Sequence, residues 1–146
     1  MTIFTLLLQA LLALGVTMGF GILFNIPRET LIPCGLIGLL GHLTRYSLVS
    51  FGVSNEVATF FGALVVGLVG YWAAKRTNRP RLVFTVTGII SMVPGISAYE
   101  TVIFFSRSDI LNGLQSAVRA GLVTGAIAVG LSTARILTEI ELSFSA

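Results

Sequence analysis

From Ile3 to Phe24 the chain carries no charged residue, a run long enough to cross the ~30 Å hydrocarbon layer of a membrane as one helix. The run stops at Asn25-Ile26-Pro27, where proline cannot continue a helix. Further apolar stretches follow at spanning length, and they predict crossings over about 3–24, 31–51, 56–74, 82–105 and 114–137. With 55% hydrophobic and only 10% charged residues among 146, the chain is expected to be one all-α, polytopic transmembrane domain (1–146) with no room for a separate soluble domain. The N-terminal run lacks a basic start and a small-residue cleavage site, so a retained span is expected rather than a signal peptide.

The basic residues explain the net charge of +3 without a nucleic-acid partner. Lys75-Arg76-Thr77-Asn78-Arg79-Pro80-Arg81 puts four positive charges in seven residues between two apolar segments, a topology signal that places this loop in the cytoplasm. With five spans, Arg28, the 75–81 loop and Arg135 share that side, and the loops of the opposite side carry only Arg107. The expectation is an N-terminus outside and a cytoplasmic C-terminus. Arg119 lies about one turn inside the last span, where it either snorkels to the headgroups or meets a solute. Cys34 is single and in an apolar segment, which excludes an internal disulfide and reads as a small buried hydrophobe.

Small residues mark packing faces. Gly15 and Gly19, with Gly21, predict close packing of the first span; Gly67 with Ala63 and Gly70 does so in the third, and Gly121 and Gly125 in the fifth. The second segment is less uniform, holding Pro33, His42 and Arg45 among glycines. Gly35, Gly38, His42 and Arg45 recur at three- and four-residue steps and so share one helical face, either buried against protein or lining a polar cavity. A re-entrant segment is the alternative to a full crossing.

Arg81 to Phe105 is the most unusual stretch, because Ser91, Pro94, Gly95, Ser97, Tyr99 and Glu100 interrupt otherwise lipid-compatible sequence. Proline removes a backbone donor and clashes with the preceding turn, so a broken helix is expected, with a second half starting at Pro94. Its free N–H groups near mid-membrane would suit an anionic or zwitterionic solute, as in discontinuous transporter helices. A kink repaired by neighbouring helices is the other reading. Ser97, Glu100 and Thr101 share one helical face.

No phosphate-binding glycine loop, zinc-protease motif or metal-spaced His/Cys set occurs, so neither an enzyme, a metal nor a cofactor is expected. What remains is polar groups at membrane depth: Asn25, His42, Arg45, Ser91, Ser97, Tyr99, Glu100 and Thr101. Glu100 and His42 are of a type able to exchange protons near neutral pH, and Arg45 can neutralise a solute carboxylate. The competing interpretation is a structural Arg45–Glu100 ion pair inside the bundle.

Phe24-Asn25-Ile26-Pro27, then Gly41-His42-Leu43-Thr44-Arg45, then Pro94-Gly95-Ile96-Ser97-Ala98-Tyr99, in this order and spacing, resemble the small membrane subunit of the two-component threonine/serine exporter family, which is also associated with dicarboxylate (succinate) export. The resemblance covers nearly the whole chain. It implies an inner-membrane exporter of small amino acids or dicarboxylates whose larger homologous subunit supplies further spans, fitting an inverted pair of five-span units. Asn25, His42, Arg45 and the Pro94 region are carried over as motif positions. The alternative is a non-transporting scaffold subunit, which predicts internally paired polar residues where transport predicts a solvated cavity.

Overall fold

The computed structural model describes residues 3–144, with side chains from residue 4 to residue 140. Among these residues all regular structure is helical: α1 (Ile3–Leu23), α2 (Leu31–Ser50), α3 (Asn55–Thr77), α4 (Arg81–Ile89), α5 (Gly95–Ser106) and α6 (Ile110–Phe144). Single 3₁₀ turns occupy Arg28–Thr30 and Ile90–Met92.

Four of the helices, α1, α2, α3 and α5, stop by one local device. Asn25 and Asn78 take left-handed backbone at φ 54° and 52°. The following N–H then reaches a carbonyl five residues back, Ile26 to Gly21 at 3.1 Å and Arg79 to Ala74 at 3.2 Å. Asparagine tolerates that conformation, and Pro27 and Pro80 prevent the helix from resuming. Gly52 (φ 86°) and Ser108 (φ 61°) close α2 and α5 in the same way, through Val53 to Leu48 and Asp109 to Phe104. Asn25, expected among the pathway residues, is therefore an exposed helix cap.

Helix α3 is the centre of the bundle. It packs on α2, α4 and α6, and α1 covers the far side of α2; the principal contacts of α5 are with α6. The core joins Cys34 and Ile37 of α2, Ala63 and Val66 of α3, Phe84 of α4, Met92, and Val123 and Ile127 of α6. Cys34 is fully buried, its Sγ 3.5 Å from the Val83 carbonyl oxygen. Glycines let the backbones approach. A Cβ on Gly62 would stand 2.8 Å from the Gly41 carbonyl oxygen and 2.7 Å from the Met92 sulfur. One on Gly130 would stand 2.6 Å from the Phe60 oxygen, and one on Gly67 would overlap Ala134. Gly15, Gly19, Gly121 and Gly125 differ from expectation: each is exposed, with no neighbour within 4 Å of a Cβ, so these four make no close packing inside the chain.

Three helices, α1, α3 and α6, are long and apolar enough to cross a membrane; α4 with its 3₁₀ turn and α5 form a fourth candidate, bent by 55° as a broken span or a re-entrant loop. The 20-residue α2 is of spanning length but falls outside that group, because His42, Arg45 and its glycines dilute its apolar character. The broken helix expected at Pro94 is present. An ion pair between Arg79 and Glu29 ties the α3–α4 connection to the α1–α2 connection. Arg81 Nη2 donates to Thr138 Oγ1 at 2.9 Å, bringing the end of α6 to that same end of the bundle. Arg45 and Asn55 mark the other end.

Replacing Gly62 by leucine should overpack the α2–α3–Met92 junction and cost about 1–3 kcal/mol, whereas Gly121→Leu should be neutral in the isolated chain. Thermal unfolding in detergent separates the two. Equal melting temperatures for both variants would contradict this account of the glycines.

Candidate functional site

The bundle's interior polar groups converge where α1, α2, the N-terminus of α3 and the 3₁₀ turn before Pro94 meet. Arg45 projects from the last third of α2 and is half-buried. Its Nη2 and Nε both donate to Asn55 Oδ1, at 2.9 and 3.2 Å, and Nη1 lies 3.5 Å from the Met92 carbonyl oxygen. Asn55 can take this part because it opens α3 just after the tight 51–54 turn, which folds α3 back alongside α2. Met92 reaches the site because its side chain is locked between Gly41 and Gly62.

One turn earlier on α2, His42 Nε2 lies 3.0 Å from Gln9 Oε1 of α1. The imidazole can donate to or accept from the Gln9 amide, according to its tautomer. Nδ1 is buried and meets no partner at full hydrogen-bond geometry, although the Ser91 backbone lies against the ring as a hydrogen-bond partner. Ser91, whose backbone neighbours the imidazole, likewise has a buried, unpartnered Oγ. Such atoms are uncommon in native interiors and point to water or a ligand group. A partly open cavity of about 160 Å³ lies alongside, lined by Gln9, His42, Arg45, Tyr46, Val49 and Asn55. At ~30 Å³ per water it accommodates a few waters or one small polar group.

The electrostatics are one-sided. Both acceptors on the guanidinium are neutral, and the ion pairs among the described residues are Arg79–Glu29 and Arg135–Glu139. Arg45 and Glu100 form no pair. The chain bends by 55° after Met92, and α5 then folds onto α6, which carries Glu100 away from α2. Isolated buried charge is expensive, so a half-buried guanidinium with no carboxylate partner favours an anion brought from outside.

Of the expected site residues, the structure brings His42, Arg45 and Ser91 together. Asn25 lies at the opposite end of α2. Pro94 and Gly95 adjoin the cluster through Met92 but offer fewer donors than a bare helix start. Pro94 sits in a tight turn (φ −77°, ψ 57°) that spends the Gly95 N–H on the Val93 oxygen at 2.8 Å, and Ala98 N–H bonds the Pro94 oxygen at 3.0 Å. Only the Ile96 and Ser97 amides lack backbone acceptors among the described residues. Helix α5 therefore begins at Gly95, one residue later than expected. Ser97, Glu100 and Thr101 do share the half-buried side of α5, while Tyr99 is 68% exposed on the other. Gln9 and Asn55 were not anticipated. Gln9 was legible as the one amide inside the uncharged first run; Asn55 lies just before the third expected span, which begins at residue 56, and no local signal marked it.

Residues 9–137 match the sequence model of a family described as Threonine/Serine exporter, ThrE. No solved structure matches the chain.

Asn55→Ala should strip two donors of a charged group of their acceptor and lower stability by about 1–3 kcal/mol, read as unfolding in mixed micelles. A melting profile unchanged from the parent would show that the Arg45–Asn55 contact contributes nothing.

Proposed function

The chain belongs to the threonine/serine exporter family, and we propose that it forms one part of a secondary exporter in which Arg45 receives the carboxylate of a small amino acid or dicarboxylate. The observation that carries this reading is the half-buried guanidinium held only by the neutral Asn55 and Met92 oxygens beside a small cavity. A carboxylate is planar and accepts two parallel N–H bonds, which suits the remaining donors of the fork. His42 lines the same cavity and offers a further polar contact there. A purely scaffolding bundle predicts that a buried charge is paired internally, and Arg45 without a carboxylate partner among the described residues weighs against it. As a member of a transporter family with membrane-length helices, the protein is a multi-pass membrane protein.

The partner in this proposal is a larger homologous subunit of opposite topology in the inner membrane. Gly15, Gly19, Gly121 and Gly125 support it, since each presents bare backbone with nothing of this chain against it. Small residues of that kind let helices from another subunit approach closely. The outer side of α5 is apolar and exposed as well, with Ile96 77% and Val102 67% exposed. In the proposed topology α2 crosses alongside α3, giving five crossings with the N-terminus outside. The basic end of the bundle, holding Arg28, the 75–81 loop and Arg135, faces the cytoplasm.

Asn55→Asp tests the site. It keeps the shape but supplies Arg45 with a permanent internal carboxylate, so the protein should fold at least as well while threonine, serine or succinate efflux falls by about tenfold or more. Efflux is measured from cells that also carry the partner subunit. Unchanged efflux by this variant at parental abundance would refute Arg45 as the carboxylate receptor.

Reporter fusions test the topology. A fusion after Ala146 should read as cytoplasmic and one near Val53 as extracytoplasmic; the reverse at either position overturns the assignment.

A further inference from the structure

At the opposite end of the molecule, α3, α4 and α6 line a second, partly open cavity of about 460 Å³, within the ~300–1,000 Å³ range of small-molecule sites. Its wall includes Arg81, Thr85, Ser132, Arg135 and Glu139. Of the four cavities described, this one alone combines guanidinium groups with a carboxylate. The larger α2–α3 cleft is nearly all apolar around Arg76, the α3–α6 cleft has only Glu56, and the Arg45 cavity has no acid.

Arg81 is fixed there by neutral partners. Its guanidinium stacks 5.0 Å from the centroid of Tyr71, which is buried, and Nη2 donates to Thr138 Oγ1, which is 2% exposed. No carboxylate of the described residues pairs with it. Close by on α6, Arg135 Nε donates to Glu139 Oε1 at 2.7 Å, which orients the carboxylate and leaves Oε2 without a partner among the described residues. The Ser132 hydroxyl is exposed and makes no hydrogen bond among the described residues. The wall thus presents a preset cation at Arg81, an Arg135–Glu139 ion pair with one free carboxylate oxygen, and a free hydroxyl around one small space.

The geometry points to a second binding site, for a small zwitterion: an anionic oxygen at Arg81, an ammonium at Glu139 and a hydroxyl or water at Ser132. Glu139 matters for the choice of ligand: one carboxylate oxygen is held by Arg135, and the other is left to accept from an ammonium while Arg81 holds the anionic end. Two sources carry this chemistry, a free hydroxy amino acid and the headgroup of an ethanolamine phospholipid. The site is separate from the Arg45 cavity and does not depend on it. If both hold, a solute meets one charged station at each end of the bundle, with α3 running between them.

The test uses purified full-length Arg45→Gln protein, from which the first site has been removed. In lipid-free detergent, labelled L-threonine should bind saturably. Glu139→Gln, at an exposed side chain, and Ser132→Trp, which fills the cavity, should each weaken that binding by at least about tenfold, the scale of one contact to a charged group. Arg81→Gln should do the same, but its ties to Tyr71 and Thr138 make it a stability risk, so the first two variants decide. A parallel arm compares melting in phosphatidylethanolamine and phosphatidylcholine vesicles. Stabilisation by the ethanolamine lipid that Glu139→Gln abolishes, without threonine binding, supports the site and assigns it to lipid. Indifference of both probes to Glu139→Gln and Ser132→Trp overturns the proposal. If parental threonine binding vanishes with Arg45→Gln yet survives Glu139→Gln, this site falls while the Arg45 reading stands.

Discussion

The close approach of α2 and α3 at Gly41 and Gly62 underlies the rest of the structure. Lipid offers apolar side chains no drive to leave it, so helices in a membrane associate through tight packing and hydrogen bonding. At this crossing the Gly41 carbonyl lies close to Gly62, and the Met92 side chain fills the space beside both. That one residue connects packing to chemistry: with its side chain locked between two glycines, its carbonyl faces Arg45. Gly88 extends the junction, since a Cβ there would meet Val66 at 2.8 Å and Ile37 at 3.1 Å. A larger residue at any of these positions would part the helices that frame the guanidinium.

The break in the fourth apolar stretch follows from the same crowding. Helix α4 is held against α2 and α3 as far as Met92, and Pro94 then removes the donor and the room that a continued helix would need. The turn that replaces it occupies the Gly95 amide and aims α5 at α6. The bend therefore separates charges rather than gathering them. Glu100 goes with α5, Arg45 stays with α2, and the arginine is left with neutral oxygens. An internal ion pair would have neutralised the guanidinium; without one its charge is met by neutral oxygens alone.

The two ends of the bundle differ in electrostatic character. At one end Arg79–Glu29 and Arg135–Glu139 are paired and exposed, typical of surface contacts worth little individually. Arg81 breaks that pattern through its buried neutral partners. At the other end Arg45 has no carboxylate partner among the described residues and lines a smaller cavity. Helix α3 joins these ends and is the most buried of the long helices, a rigid strut between two positively charged places.

Local chemistry was readable in the chain itself. Uncharged runs announced the helices, Asn25-Ile26-Pro27 announced a stop, Pro94-Gly95 announced the break, and the G-H-x-x-R spacing put His42 and Arg45 on one face, because helix period and proline geometry act over a few residues. Which glycines pack inside the chain was not readable, since Gly15-x-x-x-Gly19 and Gly121-x-x-x-Gly125 look no different from Gly38, Gly41 and Gly62 until the neighbours are in place. Asn25 drew attention as a polar residue at the end of an apolar run, and only its left-handed backbone showed it to be a cap. Gln9 reaches His42 across 33 positions of sequence, and Met92 reaches Arg45 across 47. Periodicity carries no information over such separations; the pairing of Arg45 with Asn55 instead of Glu100 was decided by the tertiary bend and the helix crossings that set it.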